Sequence, residues 1–158
     1  DVGTNSGSYN TLYRHDPQTG LQAKFSMEFC MAILLLERKA GLAQFTDAVV
    51  RRPDVQAMIR RVHYHPSAAA NAAGFNKMTT IIQIHLKDGR TISGRADFAM
   101  GSPAHPMSFD DVADKLRGCA EFAHWPREKT EKLIESVRHI EAVPDIRQMT
   151  PLLSGPAE

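Results

Sequence analysis

Apolar residues crowd one stretch of the chain, Phe25 to Leu36, where Phe25, Phe29, Ile33 and Leu36 recur at helical spacing while Met27, Met31, Leu34 and Leu35 coat much of the remaining circumference. The pattern predicts a helix opened by Ser26 as N-cap, running to about Arg38, stopped by Gly41 and buried nearly all round. Ahead of it, residues 1–8 are small and polar with little to bury, so they read as a flexible arm or cut linker. Tyr9 to His15 reads as a short strand, ended by Asp16-Pro17 and the turn at Thr19-Gly20. Short helices follow near Thr46 to Arg51 and Pro53 to Ile59, the second with proline in the first turn, where its missing N–H costs nothing.

The hydrophobic period then changes to two. Arg61 to His65 alternates, and Met78 to Leu86 with Arg90 to Phe98 predicts a hairpin around Asp88-Gly89. A two-residue loop would set Ile84 opposite Ser93. A three-residue loop, with Gly89 in the left-handed conformation, pairs Leu86 with Arg90, Ile84 with Ile92 and Ile82 with Gly94. The second register keeps Ile82, Ile84, Ile92, Ala96 and Phe98 on one face, expected to be covered by helices. Ser108 caps a predicted helix to about His124, and Trp125-Pro126 breaks it. A second helix runs to about Ile140, and a last short one after Pro144-Asp145 ends near Leu153. The sum is an α+β fold, a small and largely antiparallel sheet covered by helices, with residues 9–158 forming a single domain.

Composition narrows the function classes. The 158 residues are 42% hydrophobic and 23% charged, enough for a core and against disorder. Nineteen basic and 18 acidic side chains leave a formal net charge of +1, so no global field draws the chain to nucleic acid or a membrane surface. The apolar run ending at Leu36 is far too short to span a bilayer, and a cytoplasmic location is expected. Cys30 and Cys119 stand on separate predicted helices without a CxxC spacing, which suits reduced thiols better than a disulfide or a zinc site. No glycine-rich phosphate loop, nucleophile elbow or dinucleotide fingerprint occurs.

What remains is local chemistry. Lys24 and Ser26 precede a helix whose first amides need acceptors, so they form a candidate carboxylate-binding pair; alternatively, Ser26 is only a cap and Lys24 a solvated charge. His63 and His65 share one strand face and could begin a metal site, but a third ligand at fitting spacing is missing, so no metal is expected. His85 reads as a half-exposed strand residue and His105-Pro106 as a structural turn. Arg51, Arg52, Arg60 and Arg61 make a local basic patch, read as a solvated or docking face because no aromatics interleave it.

Two segments carry a resemblance. Tyr13 to Cys30, with Phe45-Thr46-Asp47 after it, and Gly101-Ser102-Pro103-Ala104-His105-Pro106-Met107-Ser108, in that order, resemble the carboxyl-terminal half of the MmgE/PrpD family, over about Tyr9 to Leu153. That family includes 2-methylcitrate dehydratase, cis-aconitate decarboxylase and iminodisuccinate epimerase. The resemblance implies a lid domain of a lyase or isomerase that moves a proton beside a carboxylate with neither metal nor organic cofactor. It further implies that the catalytic histidines reside in a larger helical domain, that this domain is the partner, and that the complete enzyme is a homodimer. It implies Lys24, Ser26 and Met27 as substrate-facing residues. Some decarboxylase-like members carry a tyrosine at the Met27 position, and methionine cannot donate the corresponding hydrogen bond. The rival reading is a free-standing, non-catalytic binding or interaction module.

Overall fold

The computed structural model describes residues 1–74 and 76–154, and its chain divides into two compact units, Asp1–His105 and Pro106 onward. The domain expected over 9–158 includes residues of both units, and its last four residues lie outside the described ones.

The first unit is built on four strands, β1 (Val2–Thr4), β2 (Tyr64–Pro66), β3 (Thr80–His85) and β4 (Thr91–Ala96), in the order β2-β1-β3-β4. β1 runs parallel to β2 and antiparallel to β3, and β3 and β4 form an antiparallel hairpin. The fold is therefore α+β with a mostly antiparallel sheet. Residues 2–4 correct the expected arm, because they form an inner strand with Val2 and Thr4 buried. Only one of these residues is strongly apolar, so burial comes from the flanking strands, through bonds such as Val2 N–H to the His63 carbonyl (2.9 Å) and Ser67 N–H to the Thr4 carbonyl (2.8 Å). The expected strand at Tyr9–His15 is also corrected. Asn5 caps α1 (Ser6–Thr11) by accepting the Ser8 N–H at 2.8 Å, and of the following segment only Tyr13 makes a bridge, to Ser26.

After α1, four further short helices and one longer one lie in this unit: α2 (Gly20–Ala23), α3 (Met27–Glu37), α4 (Asp47–Val50), α5 (Pro53–Ile59) and α6 (Ala68–Ala72). Ala23, Phe29, Ala32, Ile33, Val50, Val55 and Ile59 form its core, and the Phe29 and Phe45 rings meet at 5.2 Å. α3 ends at Arg38, in the left-handed region (φ 58°) with its N–H on the Leu34 carbonyl, before Gly41 is reached. Nor is α3 buried all round. Phe29, Ala32 and Ile33 are covered, whereas Leu34, Leu35 and Leu36 are exposed.

The hairpin has the expected register, with Ile84 opposite Ile92 and Ile82 opposite Gly94, and Gly89 turns it at φ +86°. Among the described residues nothing provides the expected cover over β4, every residue of which is exposed, Ile92 at 54%. The second unit holds α7 (Phe109–Phe122), α8 (Arg127–Arg138) and α9 (Thr150–Leu153). Ser108 caps α7 reciprocally with Asp111, and the chain reverses at His124 with φ +55°.

Candidate functional site

The start of α3 is fixed from two sides. Gly20 opens α2 against the backbone of Phe45, so close that a Cβ would fall 2.1 Å from the Phe45 carbonyl oxygen, and the Gly20 N–H donates to Asp47 at 2.8 Å. Lys24 ends α2. Residues 13–14 then run antiparallel beside 25–26: Tyr13 bridges Ser26, Arg14 N–H donates to the Phe25 carbonyl at 3.0 Å, and the rings of Tyr13 and Phe25 lie 6.3 Å apart.

Within this clamp the three residues singled out by sequence differ in setting. Ser26 is fully buried; its Oγ accepts the Phe29 N–H at 3.2 Å and donates to Glu28 Oε2 at 3.3 Å. Met27 is half-buried. Lys24 is exposed, with no ion pair or side-chain hydrogen bond among the described residues. None of three cavities in the structure, of about 640, 430 and 660 Å³, is lined by these residues.

Sequence reasoning assigned no role to the two groups that complete the cluster. Glu28 is buried, 6% exposed, in the first turn of a helix that is apolar from Phe29 to Leu36. A carboxylate there needs partners, since an unpaired buried charge costs several kcal/mol. It has two: Ser26 Oγ on Oε2, and His15 Nδ1 at 2.7 Å from Oε1. With the carboxyl charged, His15 donates from Nδ1 and directs the lone pair of Nε2 outward, and the ring is about half exposed. Tyr9 and Tyr64 wall the imidazole at ring distances of 5.7 and 6.3 Å, and the Tyr64 hydroxyl lies 2.9 Å from Thr4 Oγ1. Burial, with the Glu28 charge adding, pushes the Tyr64 hydroxyl upward in pKa; the same two causes raise the Cys30 thiol. The available signal was Glu28 itself, a charge inside an apolar run, which demands a partner that spacing alone does not name.

The other candidates resolve locally. Two members of the basic patch are engaged: Arg51 pairs with Asp47 at 3.4 Å, and Arg52 with Glu37 and with Asp54 at 2.7 Å. His105 closes a tight turn, its N–H on the Ser102 carbonyl and its carbonyl receiving the Gly101 N–H. Cys30 and Cys119 are free thiols. No helix is long and apolar enough to cross a membrane among the described residues.

Against known proteins, the family model described as "MmgE/PrpD C-terminal domain" matches residues 1–141. Cis-aconitate decarboxylase of Homo sapiens is 29% identical over 144 residues, which cover 89% of this chain and 29% of that protein. Cis-aconitate decarboxylase of Mus musculus is 30% identical over 142 residues, covering 89% and 28%. The chain thus spans less than a third of the length of these relatives.

Proposed function

Because this chain belongs to the MmgE/PrpD family, matching its C-terminal domain, we propose that it forms the substrate-covering part of a lyase or isomerase that acts on small di- or tricarboxylates by proton transfer. The observation that carries the reading is Lys24, exposed and without an ion pair among the described residues, two positions ahead of Ser26 at the fixed start of α3. In this reading a substrate carboxylate gains the cation of Lys24 through a charge-assisted hydrogen bond, and the half-exposed imidazole of His15, held by Glu28, is its second polar partner. Ser26 supports the locus through Glu28, since its own hydroxyl is spent on the cap and on that carboxylate, and Met27 contributes an apolar wall. The helical remainder of the enzyme supplies the base that takes the proton, as one wall alone neither excludes water nor places an acid opposite a base. Decarboxylation is the favoured reaction because both relatives carry that name. The complete enzyme is read as a homodimer in the cytoplasm.

The test uses the complete enzyme. Lys24→Ala is expected to raise KM for the carboxylate substrate by roughly tenfold, about the loss of one charge-assisted hydrogen bond, with Lys24→Arg recovering part of it. His15→Ala should lower kcat/KM and alter its pH profile. An unchanged kcat/KM in both alanine variants removes this edge from the substrate site.

A further inference from the structure

The sequence leaves His63 and His65 one ligand short. The fold provides it: one ligand atom each from Asp1, His63 and His65 lie within 4.8 Å of one another. β1 runs between β2 and β3, so Asp1, at its head, reaches histidines on both neighbours. Asp1 Oδ1 stands 3.0 Å from His63 Nδ1 and Oδ2 stands 3.1 Å from His85 Nε2, and the His63 and His65 rings are 5.1 Å apart. We propose that Asp1, His63 and His65 form a binding site for a divalent transition-metal ion of the zinc class, with His85 orienting the Asp1 carboxylate.

Three features shape the cluster for a cation. Its donors are two imidazoles and a carboxylate, the set that zinc and its neighbours prefer over magnesium or calcium, and three protein ligands leave a position for water. The rings are held from behind. His65 Nδ1 lies 3.0 Å from the Pro66 carbonyl, which takes its N–H and leaves Nε2 with a free lone pair. His85 Nδ1 lies 3.1 Å from Thr91 Oγ1, which fixes the ring that holds Asp1. Space is reserved as well: a Cβ on Gly3, the register partner of His65, would come within 3.3 Å of His65 Cε1 and 2.9 Å of Ser67 Cβ. A bound ion would fasten β1 to β2. Its role is to stabilise the sheet; it takes no part in the proton chemistry at Lys24 and His15, and the inference does not depend on that reading.

Calorimetric titration of the tag-free chain with zinc chloride is expected to give one equivalent, and cobalt(II) chloride a visible absorption band. Zinc should raise the unfolding temperature, as any ligand specific to the native state does. His63→Ala and His65→Ala should each weaken binding by more than tenfold; His85→Ala, which removes an outer partner, should weaken it by roughly tenfold. Both histidines are on the surface of the sheet, so the variants are expected to keep the parent circular dichroism. A chain bearing Gly-Ser before Asp1 should bind equally, since the side chain is the ligand. The site is refuted by stoichiometry well below one, by one equivalent that survives in the His63→Ala/His65→Ala double variant, or by binding lost in the extended chain.

Discussion

The helical cluster of α3, α4 and α5 and the β3–β4 hairpin belong to the same unit but are finished differently. In the cluster Phe29, Ile33, Val50 and Val55 are fully buried by their own neighbours. In the hairpin every β4 residue is exposed, and Met78, Ile92, Phe98 and Met100 stand open. Backbone ladders and a glycine turn set the hairpin's shape without a core over β4, whereas the cluster's shape depends on side-chain packing. The lesson is that packing and surface are separable here: substitutions in the cluster should register strongly in unfolding, and those in the hairpin only slightly.

The largest effect tests that division. Phe29→Ala removes a fully buried ring from contact with Phe45 and should cost about 3–5 kcal/mol of stability. Ile92→Ala removes a half-exposed side chain and should cost less than about 0.5 kcal/mol. Chemical denaturation of both variants measures this, and comparable losses would mean that the hairpin carries a core of its own.

A sharper comparison uses one substitution in two places. Gly20→Ala drives a methyl into the Phe45 carbonyl, a backbone atom that cannot step aside, and should cost about 1–3 kcal/mol or more. Gly94→Ala, in β4, meets nothing within 4 Å and should be neutral or slightly stabilising, because alanine loses less freedom on folding. Thermal unfolding distinguishes them; a destabilised Gly94→Ala would contradict an open β4.

The same contrast explains what was legible in the sequence. Elements announced by local chemistry are where the pattern put them: the Ser26 cap, Pro53 at the head of α5, the Ser108 cap of α7, and the Gly89 turn with its register. What escaped was decided at long range. β1 has too little apolar character to declare itself and is a strand only because residues some sixty to eighty positions away pair with it. For the same reason Asp1 could not be placed beside His63 and His85, nor His15 beside Glu28. The open side of α3 is not legible in sequence, because an apolar surface looks alike there whether or not something covers it. At the candidate site, Lys24, Ser26 and Met27 were visible as a run, while the partners that orient the run were not.

A smaller effect is expected at the seam of cap and site. Ser26→Ala removes the cap on the Phe29 N–H and one of the two partners of Glu28, and should cost about 1–2 kcal/mol. Ser26→Thr, which keeps the hydroxyl, should recover part of this. In the complete enzyme the alanine variant should also lose turnover beyond what its remaining folded fraction explains, because Glu28 would hold His15 less firmly. Turnover that follows the folded fraction alone would confine Ser26 to capping.

The smallest expected effects are electrostatic and should be alike in both regions. In the helical cluster, hydrogen bonds from Gln44 and Arg52 hold the Glu37 carboxyl below its usual range, and Arg52 does the same for Asp54. Near the hairpin, Arg95, with Thr79 and Lys77, lowers Asp97. A carboxylate lowered in the fold stabilises it at pH values above its unfolded pKa, and that contribution disappears as pH falls through the folded value. Arg52→Gln and Arg95→Gln should therefore each lower the unfolding temperature slightly at neutral pH, and the gap to the parent should close below about pH 4, where the unfolded carboxylates take up protons. These pairs are partly exposed to solvent, so 1 M salt should shrink both gaps. A gap that persists in acid or resists salt would show that the arginine contributes by packing its stem, and a large gap at Arg95 alone would place more of the fold's stability in the hairpin than its open surface allows.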